Sequence, residues 1–418
     1  MLGAVAIRDR LYPSVTQERV LVRHCDDARF VWNLAVEQQS WWWPGRRHAP
    51  GFAEQCRQLT EARAEFGWLR NGSRSIQVQA LRDFARAVAA FFDKDGPARK
   101  PGYRSAKRGH QGFAIRDTKV RRLNRRWGEV FVPKCGYVRF RWTRALPAKL
   151  GMARITFDSA RRWHVSFPGP QSALNRKPTG AVTGIDRGVR IALVTSDGQH
   201  YRAPTISDRR AARCLALQRR FARQRRGSRK REKTRLVMAR ITAKVVGRRR
   251  DWAEKISTRL VMAHDLIVFE KLNTTGMVRK PASKPDPQHS GSFLPNRAKA
   301  KAGLNRGILA SCWGRLATRS EQKATASGAA VIYVDAKHSS QECRKCGHVA
   351  RENRESQAVF QCNACGHSDH ADANAAKNIL ARGLAIAADP CACPGARGVC
   401  PHNPSVLADV AGTTRRAA

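Results

Sequence analysis

The sequence predicts a multi-domain α/β fold, and three observations carry that expectation. Apolar runs of strand length (A-V-T-G-I-D at 181–186, D-L-I-V-F-E at 265–270, A-A-V-I-Y-V-D-A at 329–336) alternate with stretches of helical periodicity. Between residues 112 and 170 the pattern is instead apolar–polar alternation at period two, the mark of strands with one buried face. Near the C-terminus, paired Cys-x-x-Cys knuckles add a small metal-stapled unit. A length of 418 residues leaves room for roughly two to four compact units and ample core.

Charge narrows the function classes. Lys and Arg number 79 against 32 Asp and Glu, a formal net charge of +47. Such a chain repels itself unless a polyanion neutralises it, so nucleic acid is the expected partner. A membrane is not: no amphipathic anchor accompanies the charge, and no apolar run approaches the ~18 residues that span a bilayer. Arg8, Asp9 and Arg10 come too early for a secretory signal, so a cytoplasmic protein is expected. There the 12 cysteines are not a disulfide framework.

Along the chain, residues 1–18 read as a strand, a turn at Pro13 and a helix start capped by Ser14 or Thr16. Helical periodicity follows, with Phe30, Leu34 and Trp41 near one face and Leu81, Phe84, Val88 and Phe92 near another. The run Trp41–Trp42–Trp43 reads as core packing, with base stacking as the alternative. Residues 93–111 form a basic Pro/Gly loop around Tyr103, suited to phosphate contact. The strands V-F-V-P-K, Y-V-R-F-R-W, A-R-I-T-F and R-W-H-V-S-F then imply a small β-barrel with arginines outside.

A composition shift at 172–179 marks a domain boundary. Residues 207–263 read as two long helices broken at Gly227 and Ser228, with Ile241, Val245, Trp252, Ile256 and Leu260 as the packed stripe. Arg219, Arg220, Arg225, Arg226, Arg229, Lys230 and Arg231 crowd the first helix and the opening of the second, and suit a nucleic-acid groove. The polar, Pro-broken segment 274–305 reads as a mobile loop over a site. The C-terminal tail holds Cys391, Cys393, Cys400 and His402 without a regular ligand spacing.

Two metal chemistries are written into the C-terminal half. Cys343, Cys346, Cys362 and Cys365 supply four thiolates for a tetrahedral, structural Zn²⁺ in a zinc ribbon, with no position left for substrate. Chemistry must therefore lie elsewhere. Asp186 ends the first strand of the second half, Glu270 ends a central strand, and Asp372 opens the last helix. In an RNase H-like fold those three places converge. Three acids together repel unless metal ions neutralise them, and oxygen-only ligands select Mg²⁺ or Mn²⁺. Two such ions clamp the attacking water and the leaving oxygen of a phosphodiester. Asp186 is the expected bridging ligand, with Glu270 on one ion and Asp372 on the other. Asp369, three residues before Asp372, is the acid most easily confused with it.

The segments R-L-Y-P-S-V-T-Q, A-R-F-V-W-N-L-A, P-K-C-G-Y-V-R-F-R, G-I-D-R-G-V, I-V-F-E-K-L, F-Q-C-N-A-C-G and D-H-A-D-A-N-A-A-K-N-I resemble the transposon-encoded TnpB (OrfB) family, relatives of type V CRISPR nucleases. The resemblance spans most of residues 5–388. It implies a RuvC nuclease domain (179–341 with 369–388) and the inserted zinc ribbon (342–368). It also implies a wedge-like β-barrel (1–18 with 103–171), a helical recognition lobe (19–102) and an irregular tail (389–418). The implied activity is RNA-guided cleavage of target DNA, with a guide RNA derived from the transposon end and the protein reading only a short flanking motif. A non-cleaving transposition accessory or repressor, or a transposase acting directly in strand transfer, are the competing readings.

Phosphate contact by the basic helices has a measurable signature. RNA affinity is expected to fall linearly on a log–log salt plot, and replacing Arg219, Arg220, Arg225 and Arg226 with Gln is expected to flatten the slope. An unchanged slope would place the groove elsewhere.

Overall fold

The computed structural model describes residues 5–40, 49–93, 96–106, 111–147, 150–289, 291–356 and 358–388. The tryptophan run 41–43 and the cysteine-containing tail lie outside the described residues. The chain divides into two compact units, Ala4–Pro170 with Phe221–Arg240, and Gln171–Arg220 with Ile241 onward.

In the first unit, β1 (Val5–Tyr12) leads into α1 (Val15–Ser40). Ser14 starts that helix through a capping box: its Oγ accepts from the Gln17 N–H at 3.2 Å while Gln17 Oε1 accepts from the Ser14 N–H at 3.0 Å. Next come α2 (Phe52–Glu65), α3 (Gly67–Arg70) and α4 (Arg74–Phe92). The buried stripe of α1 runs through Leu21, Cys25, Ala28, Trp32 and Ala35. Phe30, expected on that face, is turned away and packs edge-to-face on Trp68 instead, because a residue two positions from Ala28 lies about 200° round the helix. Phe92, the last residue of α4, is likewise exposed. The basic loop is pinned to α1: the Trp32 indole donates to Gly102 O, and Asn33 exchanges hydrogen bonds with the Arg104 backbone.

Six further strands complete the first unit: β2 (Gln111–Ile115), β3 (Val120–Arg122), β4 (Trp127–Val132), β5 (Gly136–Arg141), β6 (Ala153–Phe157) and β7 (Trp163–Gly169). With β1 they make a seven-stranded antiparallel sheet in the order β2-β6-β7-β1-β5-β4-β3. Trp163, Val165 and Phe167 point inward from alternate positions of β7, as the period-two pattern requires. Strands and helices share one core, in which Leu21, Trp32, Leu81 and Phe84 join Phe113, Val138, Phe140 and Phe167.

The second unit is built on β8 (Val182–Asp186), β9 (Leu193–Thr195), β10 (His200–Tyr201), β11 (Leu266–Glu270) and β14 (Ala330–Val334). Their order is β10-β9-β8-β11-β14, with β10, β9 and β8 antiparallel and β8, β11 and β14 parallel. The two long helices are α5 (Asp208–Arg223) and α6 (Arg229–Ala263), broken where Gly227 and Ser228 predict; their adjoining ends, Phe221–Arg240, count with the first unit. Segment 274–305 is not structureless. It carries α7 (Thr274–Met277), β12 (Lys284–Pro285), β13 (Phe293–Leu294) and the start of α8 (Ala298–Ala310). Asn273 caps α7 by accepting from the Gly276 N–H, and Lys301 and Asn305 of α8 donate to the Met277 and Val278 carbonyls. After α9 (Trp313–Ala326) and β14, the cysteine-bearing segment contains β15 (Val359–Gln361) and β16 (Ser368–His370), and α10 (Ala371–Ala388) closes the described fold.

Side-chain parity then sorts the two faces of the central strand. Ile267 and Phe269 of β11 pack with Ile256 and Leu260 of α6 and Leu316 of α9. Leu266 and Val268 pack with Ile379 and Ala387 of α10. Glu270 has the parity of Leu266 and Val268, so β11 delivers it on the side that α10 covers. Gly184 gives β8 the matching surface: a Cβ there would run into the Ala376 carbonyl and the Leu380 backbone N of α10. Gly184→Ala is therefore expected to push α10 off the sheet and to cost about 1–3 kcal/mol, read as a lowered melting temperature. An unchanged melt would show that this close approach is not required.

Candidate active site and metal centre

Each acid is placed by a different element. Asp186 is the last residue of β8 and Glu270 the last of β11, neighbours in a parallel pair whose register matches Ile185 with Phe269 one step earlier. Asp372 sits in the first turn of α10, where the helix dipole favours an anion. All three line one cavity of about 320 Å³, together with Arg187, Arg354 and Trp313. Asp369 does not: it accepts from Lys377 Nζ at 2.7 Å, outside the cavity lining.

The electrostatics of the cavity are unbalanced. Burial, then the charges of Glu270 and Asp372, push the Asp186 carboxyl up to about 7, with Arg354 partly opposing them. Burial also raises Glu270, while Arg187 lowers it. Arg187 is buried, donates to the Glu270 carbonyl, places Nε 3.8 Å from Glu270 Oε1 and lies over the Phe269 ring. Arg354 Nη2 is 2.9 Å from Asp372 Oδ1. Two guanidiniums thus offset part of a three-carboxylate cluster, and the donor set that remains is oxygen only. That chemistry fits a hard divalent cation.

The four cysteines form a close ligand group, with all four sulfurs within 4.8 Å of one another. The two knuckles repeat one hydrogen-bond pattern. Cys343 N donates to His348 O and Gly347 N to Cys343 O; Cys362 N donates to His367 O and Gly366 N to Cys362 O, each at 2.9 Å. Gly347 and Gly366 both take positive φ, 74° and 70°, to turn the chain around the sulfurs. Cys343 and Cys362 are buried, Cys346 and Cys365 exposed. Four soft donors at this separation fit one tetrahedral ion.

The basic residues fall into two groups. Arg219, Arg220, Arg225, Arg226, Arg229 and Lys230 are exposed, and α5 buries no residue at all. Arg231 is half-buried and bonded within the chain. It donates to the Phe221 and Gln224 carbonyls and stacks 3.8 Å over the Phe221 ring, capping the C-terminal end of α5. Sequence reasoning missed Arg187 and Arg354. Arg187 could have been suspected from its place beside Asp186; nothing local marks Arg354, which lies between the knuckles.

Comparison with known proteins gives the family. Residues 164–280 match a family model described as a probable transposase of the OrfB/IS605 type, residues 313–379 a Cas12f1-like TNB domain, and residues 1–47 an OrfB/IS605 helix-turn-helix domain. The chain is 30% identical over 387 residues to "Putative RNA-guided DNA endonuclease InsQ" of Escherichia coli (strain K12), covering 92% of this chain and 93% of that protein. A relative of the same description from Streptomyces pristinaespiralis is 29% identical over 389 residues, covering 92% and 90%. The cryo-EM structure of a Cas12f1–sgRNA–target DNA complex aligns over 90% of this chain and 98% of that one, at 12% identity and a TM-score of 0.48. By class, the chain is a nuclease. It belongs to the transposon-encoded OrfB (TnpB) family of RNA-guided DNA endonucleases.

Proposed function

We propose that this chain, guided by an RNA from its transposon end, cuts target DNA at the cavity lined by Asp186, Glu270 and Asp372. The observation that carries the reading is the convergence of three acids, from two adjacent strand ends and one helix start, in a single polar cavity. The strand order, three antiparallel strands continued by two parallel ones, supports an RNase H-like (RuvC) sheet, and the seven-stranded unit supports the wedge-like barrel. No helix among the described residues is long and apolar enough to cross a membrane.

Mg²⁺ or Mn²⁺ would be held by Asp186, Glu270 and Asp372, and would there supply an activated water and charge stabilisation for phosphodiester cleavage. The chain's own residues prepare that site. Asp186 and Glu270 are fixed by the parallel pairing of β8 with β11, and Asp372 by the packing of α10 on β8. Arg187 holds the end of β11 through the Glu270 carbonyl. Arg354 keeps a positive charge against Asp372. The four thiolates would hold a structural Zn²⁺ in the ribbon that carries Arg354. Binding of RNA and of target DNA rests on base pairing and the exposed cationic surface, apart from this cavity.

Asp186→Ala is expected to abolish guided plasmid cleavage while leaving RNA and target binding nearly unchanged, with Glu270→Ala and Asp372→Ala alike. Cleavage is expected to need Mg²⁺ or Mn²⁺ and to fail in Ca²⁺, whose looser coordination does not enforce octahedral geometry. Asp186→Ala cutting at the wild-type rate would sink the reading; wild type that binds but never cuts would favour the non-cleaving accessory.

Elemental analysis is expected to find one zinc per chain. Cys343→Ser or Cys365→Ser should release it and destabilise the C-terminal half, because losing a ligand removes folding energy. Well-folded wild type with clearly less than one zinc would exclude the ribbon assignment.

A further inference from the structure

We propose that Asn353 is a positioning residue that couples the two knuckles to the acid cavity by fixing Arg354 against Asp372. The inference rests on the nuclease reading above and deepens it.

Asn353 is fully buried between the knuckles. Its Nδ2 donates to Gln341 O at 2.9 Å and to His348 O at 3.2 Å, the carbonyls that bracket the first knuckle. Its Oδ1 accepts from Asn363 N at 3.0 Å, and its main-chain carbonyl accepts from Gln361 N at 2.8 Å, the residues either side of Cys362. Both side-chain donors and the carbonyl oxygen are therefore committed to the knuckles, a degree of satisfaction that holds a buried amide in one orientation. Arg354 follows directly. Its Nε donates to Ser356 O at 3.4 Å, and its Nη2 reaches Asp372 Oδ1 at 2.9 Å on the cavity wall.

The return path is also built. Asn374 of α10 accepts from Arg344 N at 3.0 Å and donates to Glu342 O at 2.8 Å. Asn378 donates to Ser339 O and Glu342 O. The first knuckle is thus bound to the helix that carries Asp372, while Asn353 binds both knuckles to the residue that pairs with Asp372. The result is a closed circuit: knuckles, Asn353, Arg354, Asp372, α10, first knuckle. With all four ligand positions supplied by thiolates, the ribbon leaves no place for substrate; what it delivers is a guanidinium at a set distance from one acid.

The alternative is that Asn353 only folds the ribbon. A double-mutant cycle separates the two. Full-length protein co-expressed with its transposon-end RNA is prepared as wild type, Asn353→Ala, Asn353→Ser, Arg354→Gln and the Asn353→Ala/Arg354→Gln double variant. Zinc per chain, guided target binding, single-turnover cleavage and Mn²⁺ affinity of the DNA-free protein are measured on each. Asn353→Ala is expected to keep its zinc and its target binding and to lose roughly 10- to 100-fold in cleavage rate, the usual span for a partner that orients a ligand. The double variant should cleave no more slowly than Arg354→Gln alone, within about twofold, because Asn353 has nothing left to position. Removing the guanidinium from Asp372 should tighten Mn²⁺ binding in Arg354→Gln, with Asn353→Ala shifting it the same way and the double variant adding nothing.

Loss of zinc from both Asn353 variants, or losses that multiply in the double variant, would overturn the coupling. A wild type that fails to cut overturns the nuclease reading instead, and the Mn²⁺ cycle then decides the coupling by itself: non-additive shifts sustain it, additive or absent shifts remove it.

Discussion

Three carboxylates forced into one buried cavity repel one another, and the second unit is arranged to endure that repulsion. Asp186 shows the cost most directly, since burial and its two acidic neighbours push its carboxyl up to about 7. A cluster like this persists only where surrounding structure over-determines it or where cations settle into it. Both conditions are visible. Apolar packing on two faces of a five-stranded sheet holds the strand ends, and two guanidiniums stand at the cavity wall.

Holding the acids together takes backbone geometry before it takes charge. A parallel pair in register sets Asp186 and Glu270 side by side, and both leave the sheet on the face that α10 covers. Because Gly184 has no side chain, α10 lies against the β8 backbone, which brings its first turn, and Asp372 with it, to the same edge. The ribbon inserted just before α10 is tied to that helix through Asn374 and Asn378. Four cysteines gathered round one ion would stiffen a segment this small, which would suit it to carry a residue that must not drift.

The cationic character of the chain is spent in two ways. Most of the α5 and α6 arginines stay in solvent, where they keep their charge available to a polyanion. A smaller set is used inside the protein. Arg319 and Lys323 close on Glu254, Arg176 on Asp265, and Arg231 on the end of α5. Charge density in the sequence therefore overstates the binding surface, because a guanidinium satisfied by carbonyls or a carboxylate has fewer donors left for phosphate.

The sequence by itself determined the features that local rules govern. Period-two alternation specified the strands of the first unit, Ser14 and Gln17 the start of α1, Gly227 and Ser228 the break between α5 and α6, and ligand spacing the four-thiolate cluster. The positions of Asp186, Glu270 and Asp372 at element ends were legible for the same reason, since strand and helix limits are written in a few consecutive residues. Only the tertiary structure decided which other side chains share their cavity. Arg187 meets the Glu270 carbonyl across 83 residues and Arg354 meets Asp372 across the second knuckle, 18 residues on, and no periodicity encodes either. Packing likewise turned Phe30 outward, gave Arg231 to a helix end and ordered the segment that carries α7 and α8. Propensity and spacing act over one turn or one knuckle, whereas these contacts exist only after sheet, helix and ribbon have closed on one another.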